Sequence, residues 1–380
     1  MFIMKNVEYV YENNFVLHKI PHLKGNVLEY KSSAQVFDFL ELKRLIGFFA
    51  SAENKLGNSK FINYSIDYYN EIQFVDKLTY ILLECFLYYL IVYKNKKINF
   101  NISKYKNTIF TEGVYYSCIK YMNNIENFIN KFQNSVSNFH FRKLIKYEDK
   151  KLDNVSFILS DILQFLETCG INNKEASNAA EISAELIDNA LDHSQSDCLI
   201  DIDVSQKPYH KTNDPTQSDE FVAVNIAVIN FSKSILGEKI RTIANSESEK
   251  NEQYEKLKAI RELHEKYFDE NYTQSNFYMM SAFQNKISSR DNSRATGGKG
   301  LTKLISQLQE QSALNVCYVV SNDMCLYFLK DHIKQDEQKW VGFNSQNDCR
   351  LPPDKNAIKK SPLNIIGTGY NLTFVFQKGE

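Results

Sequence analysis

The stretch LTYILLECFLYYLIVY, residues 78–93, constrains the fold more than any other in the chain. It is almost wholly apolar, and a helix of that character belongs inside a protein or inside a bilayer. A bilayer span needs roughly 20 such residues. This run is shorter, contains Glu84 and is flanked by polar chain, so it predicts a buried helix. Strand candidates stand on both sides, KFINYSIDYY before it and KINFNIS after it, and that order predicts an α/β unit. Beyond them, GVYYSCIKYMNNIENFINKF carries apolar residues at helical spacing and predicts a second helix over 113–136.

The polar, charged stretch QNSVSNFHFRKLIKYEDKKLDN places a domain boundary near 145. It divides an α/β regulatory or interaction domain (1–145) from a larger domain (146–380), and 380 residues are enough for two cores. The net charge of −1 argues against a protein that coats nucleic acid. Seven cysteines, odd in number and without a CxxC pair, fit a reducing cytosol and no structural zinc. The opening MFIMKNVEYVYENN lacks the apolar core and cleavage site of a signal peptide. The expectation is a cytoplasmic α+β protein with neither membrane nor nucleic acid as partner.

In the larger domain, VSFILSDILQFLETCG predicts a helix, CLIDIDVS a strand by its alternation, and FVAVNIAVINFS a strand ending at Asn230. A lid-like insertion over about 231–300 includes the charged amphipathic helix candidate SESEKNEQYEKLKAIRELHEKYFDE. NSRATGGKGLTKLISQLQEQ reads as a glycine turn entering a helix, LNVCYVVSNDMCLYFLKD as a hairpin around residues 321–323, and GYNLTFVFQ as a last strand. Residues 208–219 read as an exposed loop.

Between these elements, EISAELIDNALDHS belongs to a helix that the capping pair Asn172 and Glu175 starts at about Asn173. At 100° per residue, Ala180, Ala184, Leu186, Ile187, Ala190 and Leu191 share one arc, and Glu185, Asp188, Asn189, Asp192 and His193 share the opposite one; Ile182 alone breaks the pattern. A solvated face is the plain alternative. Such faces favour Lys and Glu in pairs, whereas this one has no base except a histidine. Oxygen ligands on one face suit Mg2+, which keeps waters and shares its shell with substrate phosphates. An amide oxygen at Asn189 adds no negative charge beside phosphate, and Glu185, one turn away, is placed to orient and deprotonate a water. Independently, Thr296, Gly297, Gly298, Lys299, Gly300 and Leu301 open a helix whose free N–H groups favour phosphate. The spacing is not that of a P-loop, and a simple turn is the alternative.

Together, Glu185-x-x-x-Asn189-x-x-Asp192-His193, Gly298-x-Gly300-Leu301 and Gly367-Thr368 before a terminal strand resemble the N-box, the second glycine box and the last motif of the GHKL ATPase superfamily, which includes gyrase, histidine kinases and MutL. The resemblance covers about 150–380. It implies a Bergerat-type two-layer sandwich, with helices on one face of a mixed sheet and ATP with Mg2+ between the layers. It further implies Glu185 as the water-activating base, Asn189 as the Mg2+ ligand, Asp188 or Asp192 in the surrounding network, Gly298, Lys299 and Gly300 on phosphate, and Thr368 beneath adenine. The departure is the first glycine box, usually DxGxG. Here Asn230 replaces the aspartate that accepts the adenine amino hydrogen, and Ser232 and Ser234 replace the glycines. An Asn oxygen can accept that bond without charge assistance.

The N-terminal strand, helix, strand resembles a STAS domain, the partner fold of anti-sigma-factor serine kinases, with Thr79 the hydroxyl nearest the expected phosphorylation point. Three functions follow as expectations. One is an ATP-hydrolysing switch acting on the N-terminal module or a protein partner, with homodimerisation carried over from the superfamily. The others are a serine/threonine kinase of the anti-sigma type and a non-catalytic scaffold.

Overall fold

Aspartates start both long N-terminal helices. Asp38 and Asp76 sit in extended backbone, and their side chains accept the N–H of Glu41 and Thr79, each at 2.8 Å. This satisfies donors that the first helical turn leaves unpaired. In the computed structural model, which describes residues 4–14, 23–57, 62–106, 112–148, 154–205, 221–246, 252–287, 300–312 and 316–377, these helices belong to a parallel β-α-β-α-β unit. A short helix α1 (Val7–Asn13) comes first, followed by β1 (Val27–Ser32), β2 (Val36–Phe37), α2 (Phe39–Leu56), β3 (Asn63–Phe74), α3 (Lys77–Val92) and β4 (Lys97–Lys106). β1 and β2 pair with one edge of β3, and β4 pairs with the other, all parallel.

Tyr64, Ile66, Tyr68, Ile72 and Phe74 of β3 turn inward, while Asn70 and the odd-numbered side chains are at least partly exposed. α3 is buried from Lys77 to Ile91. The reason is its position: the core around α2 and α3 also takes in Leu199, Ala227, Ile229, Phe231, Val320 and Ile365 from a second sheet. A helix covered by sheets on both sides has no face to make polar, which is why residues 78–93 resemble a short membrane span. Among the described residues no helix is long and apolar enough to cross a membrane.

The expected helix over 113–136 is broken. Two 3-10 turns, Gly113–Tyr116 and Cys118–Tyr121, precede a short α4 (Ile125–Gln133). Ser117 Oγ takes the Ile119 N–H and Asn124 Oδ1 takes the Asn127 N–H, so each polar side chain starts a new local element and competes with one continuous helix. Gly113 is required where it stands, because a Cβ there would meet Tyr80 Oη at 2.1 Å and Asp203 Oδ1 at 2.4 Å.

Next come β5 (Asn134–Ser137), β6 (His140–Ile145), α5 (Asn154–Thr168), α6 (Asn173–His193), β7 (Cys198–Val204), β8 (Phe221–Phe231), α7 (Glu238–Ala244), α8 (Glu252–His264), α9 (Gln274–Ser281), α10 (Gly300–Gln311), β9 (Tyr318–Tyr327) and β10 (Ile358–Gln377). The six strands form one sheet in the order β5-β6-β7-β8-β10-β9. Every pairing in it is antiparallel, so the sheet is not the mixed one expected. β5 and β6, on the N-terminal side of the boundary expected near 145, are strands of this sheet. Phe141 and Ile145 of β6 face the core under α5 and α6, whereas His140 and Arg142 face α3.

The expected hairpin at 321–323 is absent: β9 runs straight through. Asn322, at φ 57°, lies where the pairing with β10 shifts register, so it marks a bulge. The expected loop 208–219 lies outside the described residues. Helices α5, α6 and α10 cover the face of the six-stranded sheet opposite α3, where Ile162, Leu166, Ile187, Leu191, Leu304 and Leu308 meet Ile200, Ile202, Val224, Ile226 and Leu372. The protein is thus an α+β structure with one parallel and one antiparallel sheet.

Candidate functional site

The end of β8 and the middle of β10, where the two strands begin to pair, form the floor. Asn230 is paired with Thr368, and Thr368 in turn with Ser321 of β9. Val224, Ile226 and Val228 of β8 and Tyr370 and Leu372 of β10 belong to the core under the helices, and alternation puts Asn230 and Thr368 on that same face. Both are buried. Asn230 Nδ2 donates to Ser196 Oγ at 3.1 Å, and Ser321 Oγ donates to the Gly367 carbonyl at 2.7 Å. Gly367 has φ 144°, and a Cβ on it would stand 2.1 Å from the Asn230 carbonyl oxygen. Only glycine lets the two strands approach so closely here.

Ser232, at the position expected to be a glycine, has visible work. Ser232 Oγ donates to the Ser194 carbonyl at 2.9 Å and accepts the Ser234 N–H at 3.1 Å. This ties the start of the expected lid to the residue after α6.

α6 is started by Asn172, whose Oδ1 accepts the Glu175 N–H at 3.0 Å and whose Nδ2 donates to Glu175 Oε2 at 2.6 Å. Ile182, the exception to the expected arc, is buried, because α10 covers a second side of the helix and Lys303 pairs with Glu181 there. Glu185, Asp188, Asn189 and Asp192 are all half-buried, so their face is not an open solvated one. His193 ends the helix. Burial first, then the charge of Glu185, hold the Tyr370 hydroxyl well above its ordinary pKa. Tyr370 lies two residues beyond Thr368 on the same face of β10, so Glu185 lies on the helical side of the sheet within electrostatic reach of Tyr370.

Of the glycine segment, Gly300 is the first residue of α10 and Leu301 packs half-buried on the helical core, while Thr296, Gly297, Gly298 and Lys299 lie outside the described residues. Among the described residues of the expected lid, helices α7 to α9 follow β8. Beside the floor, a cleft of about 230 Å³ opens between residues 4–6, 146–148 and 195–197 and Phe231. Among the described residues no three His, Cys, Asp or Glu side chains gather to hold a metal. A single amide such as Asn189 suits Mg2+ only where phosphate and water complete the shell.

Sequence reasoning missed a second polar cluster, on the opposite face of the sheet. Arg142 Nε donates to Asp201 Oδ2 at 2.5 Å and its Nη2 to Glu84 Oε2 at 2.6 Å; His140 Nε2 lies 2.9 Å from Asp201 Oδ2. Lys77, the first residue of α3, pairs with both Asp201 and Asp203. Asp203 accepts from Asn225 Nδ2, and Asn225 Oδ1 from Thr373 Oγ1, so the cluster extends across β6, β7, β8 and β10. Burial opposes charge on Asp201, but Arg142, His140 and Lys77 outweigh it and hold the carboxyl well below its ordinary range. The signal was present in CLIDIDV, where two aspartates alternate with apolar residues. An alternating strand is ordinarily solvated on its polar side; here every position is buried.

Thr79, the hydroxyl offered for phosphorylation by the STAS resemblance, is fully buried and donates to Asp76 Oδ1 at 2.7 Å. It completes a helix cap. No family model, curated protein or solved structure matches the chain.

Proposed function

We propose that the C-terminal part of the chain binds ATP with Mg2+ in a GHKL-type site between α6, the end of β8 and the adjoining middle of β10, and hydrolyses it to drive a conformational switch. The observation that supports this reading is that α6 packs on the same sheet face that carries Asn230 and Thr368, with the Glu185 charge felt at Tyr370, two residues beyond Thr368 on β10. A plain solvated helix face has no reason to lie over a buried polar floor.

In this reading the purine sits on the floor, where Asn230 accepts from its amino group and Thr368 lies beneath the ring. Mg2+, when bound, neutralises phosphate charge and is held by Asn189 Oδ1. Glu185 takes a proton at its carboxylate from the water that attacks the terminal phosphate. Asp188, Asp192 and His193 complete the polar wall, and phosphate contacts are assigned to Thr296, Gly297, Gly298, Lys299, Gly300 and Leu301 from the sequence resemblance. The lid begins at Phe231, beside α1, where Asn6 Nδ2 donates to the Phe231 carbonyl at 2.9 Å. A change in lid order therefore has a direct path to the N-terminal module and to any protein docked on it.

Calorimetric titration of the full chain with a non-hydrolysable ATP analogue and Mg2+, beside the Asn189→Ala variant, tests the proposal. Saturable binding that the variant weakens at least about tenfold is expected. Absence of binding at millimolar analogue would leave the scaffold reading in its place.

A further inference from the structure

The floor of the proposed site ends in an amide paired with a hydroxyl, and that pair has a property no carboxylate has. Asn230 and Ser196 are each 4% exposed, with Nδ2 3.1 Å from Oγ. A carboxylate offers only acceptors, whereas a primary amide offers an acceptor on one side and a donor on the other, and a half turn about its last side-chain bond exchanges them. Whether that exchange is costly depends on the partner. Ser196 can accept from Nδ2 or donate to Oδ1, so its bond to Asn230 survives in both orientations. No charged side chain is hydrogen-bonded to Asn230 among the described residues, so none fixes one orientation. Thr368 Oγ1, opposite Asn230 and 3.4 Å from Ser321 Oγ, is a hydroxyl with the same latitude to donate or accept.

Resting on the nucleotide reading above, we propose that the Asn230–Ser196 pair makes the site indifferent to the 6-substituent of a purine nucleoside triphosphate. A 6-amino purine donates to Oδ1 while Nδ2 keeps Ser196. A 6-oxo purine accepts from Nδ2 while the Ser196 hydroxyl donates to Oδ1. The ring nitrogen beside the 6-position reverses its hydrogen-bonding sense between the two bases, and Thr368, beneath the ring, makes no in-plane bond that would favour either. With aspartate at 230 a 6-oxo base would face two acceptors, and a mismatched buried hydrogen bond typically costs about tenfold to a hundredfold in affinity.

The test is titration of the full chain, with Mg2+, against non-hydrolysable analogues of ATP and of inosine triphosphate, which differ at the 6-position and its neighbouring ring nitrogen. The two dissociation constants are expected to agree within about threefold in the native protein. The Asn230→Asp variant, with its thermal transition retained, is expected to prefer the ATP analogue by at least about tenfold. Strong native preference for either base overturns the inference and leaves the nucleotide site standing, as does an Asn230→Asp variant that still binds both alike. Binding of neither analogue overturns both. If Asn230→Asp does not fold, the native ratio alone decides.

Discussion

Gly367 and Gly369 are two residues apart on β10, yet the structure asks different things of them. At Gly367, φ is 144° and an added Cβ meets backbone at 2.1 Å; at Gly369 the nearest obstacle is the flexible tip of Leu78 at 3.1 Å. Gly367→Ala is expected to lose about 1–3 kcal/mol from backbone strain alone, plus the displacement of Asn230, in urea unfolding. Gly369→Ala should lose clearly less, and the reverse order would contradict the close approach of β8 and β10. Glu185→Gln keeps the shape of the side chain and removes its basicity. Phosphate release should fall at least about a hundredfold while analogue affinity stays within about threefold; unchanged turnover would remove Glu185 from the chemistry. At this scale the sequence singles out Glu185, Asn189, Asn230 and Thr368 by residue type and position, and the structure pairs Asn230 with Thr368 across two strands 138 positions apart. Ser196 was illegible, because its partner is 34 positions away and only the pairing of β7 with β8 joins them.

Helices and strands were legible where one physical cause dominates. Apolar content fixed α3, a capping pair fixed the start of α6, and alternation fixed β7. The segment 113–136 failed because local bonds to Ser117 and Asn124 outcompete helical periodicity. The 321–323 hairpin failed because turn-forming residues also make bulges when a long partner strand lies alongside. The docking of α3 on β6 and β7 through Lys77, Glu84, Arg142 and Asp201 gives two predictions. Arg142 is fully buried, so Arg142→Ala takes from buried Glu84 its cation and from Asp201 one of its partners beside Lys77 and His140, and should cost about 3–5 kcal/mol in chemical unfolding. A loss below about 1 kcal/mol would mean that the pairing is not formed in solution. The depressed Asp201 carboxyl sets the direction with pH: its stabilisation is complete above the unfolded-state value of about 3.9 and is lost as pH falls through the lower folded-state value. Urea stability should therefore decline below about pH 4, and a rise on acidification from about pH 5 to 3 would contradict the ion pairs.

The two sheets share α3, and that decides how the whole molecule should behave. Two domains joined by a linker keep separate cores and can unfold separately. Here the core around α2 and α3 is closed on one side by β3 and on the other by β7, β8, β9 and β10, and the charged cluster spans the same boundary. Removing the six-stranded sheet would expose an apolar helix along its length; removing α3 would leave Asp201 and Asp203 without Lys77. Neither half has a complete core alone, although the sequence, with its polar stretch near 145, reads as two domains. Calorimetry of the full chain should show one cooperative transition, and Arg142→Ala should lower that transition as a whole without splitting it. Two separated transitions in the native protein would show that α3 belongs energetically to one sheet only. Nucleotide occupancy on the far face of β8 and β10 would then have no packed route to the parallel sheet. With a single transition, any ligand that binds the floor at Asn230 and Thr368 must raise the stability of the parallel sheet as well, because both melt together. A saturating ATP analogue should therefore shift the one transition upward in the native chain and shift it less in Asn189→Ala. A shift that leaves part of the heat absorption behind at the ligand-free temperature would refute the coupling.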